Sequence, residues 1–237
     1  MHRCFFLCLA ILALQAAAPE VEITAEPHHH LILENQSVRV FNVDVPPHTD
    51  TLMHWHRHDY FSVNLGTATV VNAVKDKPPV TITLQDGETH FSPASFAHIA
   101  RNQTDQVFRN LTIEILDDEN LRNSAANGNF KWDEDRALET FPGGTQQILF
   151  VKDAIRASEF ELQPGAAVPK HDYTGPHLLV AVSDLDISGN VEGPRPIPTH
   201  LKSGDSKWIP GGYSQTLTNV GKQPAKFVTL EFPPHDR

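Results

Sequence analysis

Two histidines separated by a single residue carry the clearest chemical signal in the sequence. His54 and His56 belong to the segment HWHRHDY, residues 54–60. Successive side chains of a β-strand point to opposite faces, so residues two apart project from the same face. Two imidazoles on one rigid face are half of a transition-metal site, and the missing ligand must come from elsewhere in the chain.

His98 is the candidate for that missing ligand. It lies in the segment GETHFSPASFAHIARN, residues 87–102, whose spacing is G-x5-P-x-S-x2-H-x3-N. This segment and the H-x-H segment resemble the two sequence motifs of the cupin family, small antiparallel β-barrels with a metal ion in the mouth. The resemblance implies that His54, His56 and His98 bind one divalent transition metal (Fe, Mn, Cu, Ni or Zn).

An all-β structure must position these ligands, because short strand-like runs alternate with turn signals along the chain. In the first half, the predicted strands cover residues 31–33, 38–45, 62–74, 80–84, 89–91 and 107–116. In the second half, they cover residues 146–151, 155–162, 178–182, 185–187 and 226–232. Such spacing favours a barrel or a sandwich.

The second half of the chain repeats the first with a constant shift of 117 residues. The shift relates pairs of identical residues, among them Gly87 and Gly204, Pro93 and Pro210, Asn102 and Asn219, Arg39 and Arg156, Glu114 and Glu231. Such an ungapped register indicates a duplicated domain. Together with the resemblance, it predicts two tandem cupin (double-stranded β-helix, or jelly-roll) barrels. We expect an N-terminal barrel over residues 31–117, a polar linker with one helical turn over 118–144, and a C-terminal barrel over 145–233.

The resemblance also implies a glutamate ligand in the first motif, which this chain lacks. The glutamate position falls on Tyr60 or Phe61, and Asp59 stands one place early. On a regular strand Tyr60 shares a face with His54 and His56, whereas Asp59 turns inward only if the strand bulges. We favour the regular strand, and both arrangements remain open. His58, Asp59 and Tyr60 are the candidate acid or base groups.

The corresponding site in the second half is predicted to be degenerate. The shift of 117 residues places His171, Tyr173, His177 and Gln215 where the first half has His54, His56, Tyr60 and His98. Two imidazoles, a phenol and an amide form a poor cage for a divalent ion. A weak second site through His171 and His177 is the alternative.

Two functions are compatible with these residues. We favour a metal-dependent, dioxygenase-like oxidoreductase acting on a small organic substrate, because an open three-histidine site would suit oxygen activation as in the dioxygenases of the family. Decarboxylation is disfavoured, because in the family it usually depends on the glutamate that is missing here. The alternative is a non-catalytic cupin that binds a metal, a sugar or another small molecule. A pocket packed shut around the histidines would favour this binder, and an apolar mouth open to solvent would favour the enzyme.

The N-terminus predicts export to the periplasm or the cell exterior. Residues 1–18 combine Arg3, an apolar run from Phe5 to Leu14 and the segment Ala16-Ala17-Ala18, which is typical of a secretory signal peptide. Both cysteines lie in this segment, so the mature chain would have no disulfide bond. The formal net charge of −10, without a basic cluster, argues against binding to nucleic acid or anionic lipid.

No later apolar run is long enough to span a membrane, so we expect no membrane association after signal cleavage. The expected partner is a small-molecule ligand or substrate, and the sequence makes no prediction of the oligomeric state.

Two other features have simpler interpretations at this level. The tract His28-His29-His30 is interpreted as an exposed lead-in to the first strand, with metal scavenging as the alternative. Three sequons begin at Asn35, Asn102 and Asn110, and they are relevant only if the host glycosylates exported proteins. Asn102 is also the motif asparagine, which we expect in a turn.

Overall fold

The computed structural model describes residues 19–128, 138–191 and 197–234 of the chain. These residues form several β-sheets and one short α-helix, so the predicted all-β fold class is confirmed. The predicted signal peptide, residues 1–18, lies outside the described residues. None of the helices in the described part of the chain has the length and apolar character needed to cross a membrane.

The first half contributes two facing sheets. One has the strand order β1-β5-β10-β7-β8, with β4 paired to β10, and the other has the order β2-β3-β11-β6-β9. The strands of this half are β1 (Val21–Glu22), β2 (His29–Glu34), β3 (Val38–Val45), β4 (Thr49–Asp50), β5 (His54–His56), β6 (Tyr60–Leu65), β7 (Ala68–Val74), β8 (Val80–Leu84), β9 (Thr89–Ser92), β10 (Phe96–Asn102) and β11 (Phe108–Ile115).

The second half contributes two more sheets, with the orders β12-β13-β14-β21-β16-β19 and β15-β20-β17-β18. Helix α1 (Asp118–Ala126) precedes it. Its strands are β12 (Leu138–Phe141), β13 (Gly144–Lys152), β14 (Ile155–Leu162), β15 (His171–Tyr173), β16 (His177–Ala181), β17 (Leu185–Val191), β18 (Ile197–Leu201), β19 (Ser206–Ile209), β20 (Tyr213–Asn219) and β21 (Ala225–Glu231).

The shift of 117 residues seen in the sequence is also present in the strands. Strands β5 to β11 begin 117 residues before β15 to β21, respectively, and β3 begins 117 residues before β14. The pairings agree as well: β5 pairs with β10 as β15 pairs with β20, and β3 pairs with β11 as β14 pairs with β21. The two halves therefore place equivalent residues at equivalent positions, which makes each half a reference for the other.

The structure differs from the sequence prediction at a few boundaries. The predicted strand over 62–74 is divided into β6 and β7 at Gly66, whose φ of 81° lies in the left-handed region that glycine favours. Within the predicted linker, α1 has nine residues and β12 pairs with β13, while residues 129–137 lie outside the described part of the chain. The strands β4, β10, β12, β15, β18, β19 and β20 were not among the predicted runs, and β10 is the strand that carries His98.

One apolar cluster lies between the two halves and contains residues of both. Side chains along β3, β6 and β11 alternate between two faces. Val40, Phe61 and Ile113 face away from their own barrel and pack against residues of β14, β16 and β21. Phe61 is fully buried there and stacks on Phe150 of the second half, with ring centroids 5.2 Å apart. The opposite faces of the same strands line the interior of each barrel.

Candidate metal centre

Three histidines converge inside the N-terminal barrel. His54 and His56 lie on β5 and project from one face, as the strand period requires. His98 lies on the neighbouring strand β10, directly opposite His54 in the antiparallel register. One ring nitrogen from each residue lies within 4.8 Å of the others. The structure therefore brings together the three residues that the motifs predicted as metal ligands.

Hydrogen bonds hold two of these rings with one nitrogen turned inward. Nδ1 of His54 lies 2.8 Å from the carbonyl oxygen of Leu52, and Nδ1 of His98 lies 2.7 Å from Oδ1 of Asn72. Because both partners are acceptors, each Nδ1 must carry the proton, and each Nε2 keeps its lone pair. Nε2 of His54 is buried without a hydrogen-bond partner among the described residues.

The spacing of the inward nitrogens also fits a shared ion. Nε2 of His56 lies 3.1 Å from Nε2 of His98. Two nitrogens bound to one ion at about 2.1 Å would lie about 3 Å apart. A buried nitrogen without a partner and two nitrogens at this distance both fit a shared metal ion. The donor set of three imidazoles suits iron, manganese, copper, nickel or zinc.

Burial keeps the three imidazoles neutral, which is the form that binds metal. Burial and the nearby His29 lower the pKa of His54 to about 4. Burial, together with the neighbouring histidines, lowers the pKa values of His56 and His98 well below the ordinary value of 6.5. A metal ion would therefore meet little competition from protons at neutral pH.

The three candidate acid or base groups lie in different places. Tyr60 faces the barrel interior and stacks on His56, with ring centroids 4.2 Å apart, and burial raises the pKa of its phenol. Asp59 points away from the histidines: Oδ1 accepts a hydrogen bond from Ala94 N at 2.7 Å, and Oδ2 lies 2.9 Å from Nη2 of Arg122. His58 is half-buried and does not line the interior.

Sequence reasoning missed a fourth histidine at this site. His29 is buried, and its ring centroid lies 4.6 Å from that of His54. Nδ1 of His29 lies 2.6 Å from Oε2 of the buried Glu26, whose other oxygen accepts a hydrogen bond from Leu52 N at 3.1 Å. The interpretation of residues 28–30 as an exposed lead-in is therefore wrong for His29.

The segment that carries His29 and Glu26 is anchored to the ligand strand. Strand β1 runs parallel to β5 and pairs Val21 with His54. On the outer face of β5, Nε1 of Trp55 donates to Oε2 of Glu20 at 2.9 Å. The N-terminal segment thus packs beside the strand that supplies two of the three converging histidines.

A cavity of about 250 Å³ opens beside the converging histidines. His56 and His98 form part of its wall, together with His29 and Tyr60. Its remaining lining in the described part of the chain is apolar or polar and includes no lysine, arginine or acidic residue: Val43, Ser62, Val70, Asn72, Ile82, Leu84, His90, Phe91, Ser92, Ala100, Phe108, Asn110 and Thr112. The histidines are therefore not packed shut, and a small molecule could reach two of them.

The equivalent position in the second half is closed by ionic contacts. Oε2 of Glu231 lies 3.1 Å from Nε2 of His171, and Oε1 lies 2.7 Å from Nη2 of Arg156. Burial opposes ionisation of Glu231, but His171 and Arg156 outweigh it and lower the pKa of this carboxyl. His177 stacks on Tyr173 with ring centroids 4.1 Å apart. In the described part of the chain, the first-half histidines are the one group that offers three converging metal donors.

Comparisons with solved structures identify the fold. Oxalate decarboxylase from Bacillus subtilis, whose Mn(II) centres have been characterised, matches over 91% of this chain and 77% of its own, with a TM-score of 0.60 and 12% identity. A cupin 2 conserved barrel domain protein from Leptotrichia buccalis matches over 86% and 88%, with a TM-score of 0.52 and 11% identity.

Salicylate 1,2-dioxygenase from Pseudoaminobacter salicylatoxidans, as a variant in complex with gentisate, matches over 83% of this chain and 69% of its own. Its TM-score is 0.57 and its identity is 13%. No family model and no curated protein matches the sequence. The structural likenesses show that this chain has the cupin fold.

Proposed function

We propose that the chain is a metal-dependent oxidoreductase of the dioxygenase type that acts on a small organic substrate. One observation carries the proposal: three neutral imidazoles converge at the wall of an open cavity, and His56 and His98 face that cavity. A cupin that only held a metal ion would have no need for an accessible space beside the ligands, whereas a non-catalytic binder of small molecules would share this feature and is distinguished by the oxygen-uptake test below. The structures similar in fold include a dioxygenase, which supports this reaction type by analogy only.

The residues of the site would either bind the ion or orient its ligands. His54, His56 and His98 would hold the ion, and Leu52 and Asn72 would fix two of the rings through Nδ1. A bound iron, manganese or copper ion would supply Lewis acidity and redox chemistry.

Tyr60 and the apolar side chains of the cavity would act on the substrate side. Tyr60 would stay protonated because burial raises the pKa of its phenol, so it could donate a hydrogen bond but could not act as a base at neutral pH. The apolar side chains of the cavity would exclude water from the reacting molecule.

Metal analysis and oxygen uptake test this function together. The protein, purified from its own secretory compartment, should contain iron, manganese or copper. It should consume oxygen with at least one member of a panel of small phenols, diketones and organic acids. His98→Ala is the matched control, and it should lose both the metal and the oxygen uptake. A chain that binds metal but consumes no oxygen with the whole panel would be the non-catalytic binder instead.

We also propose that residues 1–18 direct export and are removed. N-terminal sequencing of the protein from the periplasm or the culture medium should place the mature terminus within a residue or two of Pro19. An uncleaved chain in the cell interior would contradict this part of the proposal.

A further inference from the structure

The two barrels differ in what fills them. In the second half, Phe160 and Phe227 stack in the barrel interior, with centroids 4.9 Å apart and rings nearly parallel. Their counterparts in the first half, 117 residues earlier, are Val43 and Asn110, which form a cross-strand pair and line the cavity. The space that two aromatic rings occupy in one barrel is therefore open in the other.

Three other inward positions follow the same trend. Ser62, Ser92 and Ala100 line the cavity, and their counterparts Leu179, Ile209 and Leu217 pack in the interior of the second barrel. Asn72, Ile82 and Phe108 are exceptions, since their counterparts are the smaller Gly189, Thr199 and Ala225. Val43, Ser62, Ser92 and Ala100 are all smaller than their counterparts, and Asn110 is polar where its counterpart is Phe227. Five such replacements would destabilise a barrel that bound nothing.

The cavity wall is poor in charged side chains. No lysine, arginine, aspartate or glutamate is among its lining residues in the described part of the chain. His90, at the exposed side, is already paired through Nε2 with Oε1 of Glu88 at 2.8 Å. His29, which also lines the cavity, is paired through Nδ1 with Oε2 of Glu26 at 2.6 Å. A carboxylate substrate would therefore find no cationic side chain on this wall that is not already paired with an acidic one, and it could be neutralised only by ligating the ion itself.

Asn110 supplies a polar handle inside the cavity. Its residue is 8% exposed. Among the described residues, one side chain contacts it: Oγ1 of Thr112 donates a hydrogen bond to Oδ1 of Asn110 at 2.9 Å. This leaves the amide NH2 without an acceptor among those residues, on a side chain that lines the cavity. The burial of Asn110 also explains why its sequon is a poor acceptor for a glycan.

We propose that the cavity binds a small uncharged organic molecule, and that the Asn110 amide donates a hydrogen bond to a carbonyl or hydroxyl oxygen of that molecule. This inference rests on the proposed function for its assumption that the cavity is the substrate site. Asn110 is then a specificity-determining residue at the position where the second barrel has Phe227.

Binding of benzamide and benzoate to the full chain in the presence of a chelator tests this inference without turnover, because benzoate then has no metal ion to ligate. The two probes have nearly the same shape and differ in charge, and calorimetry or ligand-observed NMR measures their affinities. Benzamide should bind at least tenfold more tightly than benzoate. Asn110→Leu keeps the size of the side chain but removes the donor, and it should weaken benzamide binding about tenfold, as expected for one hydrogen bond.

Asn110→Phe installs the residue of the second barrel and should abolish binding of both probes. Metal content, measured before the chelator is added, should match the parent in both variants, which shows that the barrel is intact. The inference is overturned if benzoate binds as tightly as benzamide, if neither probe binds, or if Asn110→Leu binds benzamide like the parent. If no substrate supports oxygen uptake while the predicted binding pattern holds, the proposed function fails and this inference stands.

Discussion

Replacement of His54 by glutamine should remove a measurable part of the acid sensitivity of the metal-free protein. In the folded chain His54 has a pKa of about 4, whereas the ordinary value is 6.5. Between these values the unfolded state binds more protons than the folded state, so stability falls as the pH falls. The contribution is complete above pH 6.5 and is lost progressively below it. Linkage gives a loss of about 2 kcal/mol between pH 7 and pH 5 for this one residue.

The assay is urea unfolding in the presence of a chelator at pH 7 and pH 5, for the parent and for His54→Gln. The variant should reduce the difference in unfolding free energy between the two pH values by about 2 kcal/mol. His177→Gln should do the same, because burial lowers the pKa of His177 to about 4 as well. Trp55→Phe, on the outer face of the same strand, is the control that alters stability equally at both pH values. If His54→Gln kept the full pH dependence of the parent, the reasoning about buried neutral imidazoles would be refuted.

Three further results are expected. One metal ion should bind per chain, so that a chelator lowers the melting temperature of the parent but not that of His98→Ala, and His171→Ala should leave the stoichiometry at one. Asp59→Asn should leave metal affinity unchanged and cost about 1 kcal/mol of stability in urea unfolding, because Asp59 contacts Arg122 and not the histidines; lost metal binding would contradict this. Phe61→Ala should cost about 3–5 kcal/mol and lower the transitions of both halves together in calorimetry, and separate transitions would argue against the shared core.

The converging histidines could be predicted because the evidence for them is local. The parity of a β-strand puts His54 and His56 on one face, and the second motif supplies His98. The duplication was visible for a similar reason, since identical residues recur at one constant shift. Neither inference required knowledge of which strand pairs with which.

His29 and Glu26 could not be predicted because their positions depend on tertiary pairing. Three consecutive histidines give no indication of which one points inward. Strand β2 also has an irregular register against β3 between Leu31 and Leu33, so parity counted from the later strand residues does not extend back to His29. The inward direction of His29 is fixed only when β2 lies beside β3 and the N-terminal segment packs on β5.

The cavity was hidden for a different reason. An empty space is a relation among many side chains, and no single residue signals it. Asn110 was noted as the first residue of a sequon, which is a surface property, whereas the structure buries it in the barrel. Comparison of the two halves in the sequence, position by position along the inward faces, is the signal that could have revealed it.

The apolar layer between the halves gives the second barrel a role that its own interior does not explain. Neither half can open by itself without exposing the face that its partner covers, so the backbone amides of both should exchange with solvent through the same rare opening event. Removal of an ion from the first barrel should then accelerate hydrogen exchange in β14 and β21, which carry none of the converging histidines. Hydrogen exchange in the second barrel would thus depend on whether the first barrel holds a metal ion, and the second barrel would slow dissociation of an ion that it does not contact.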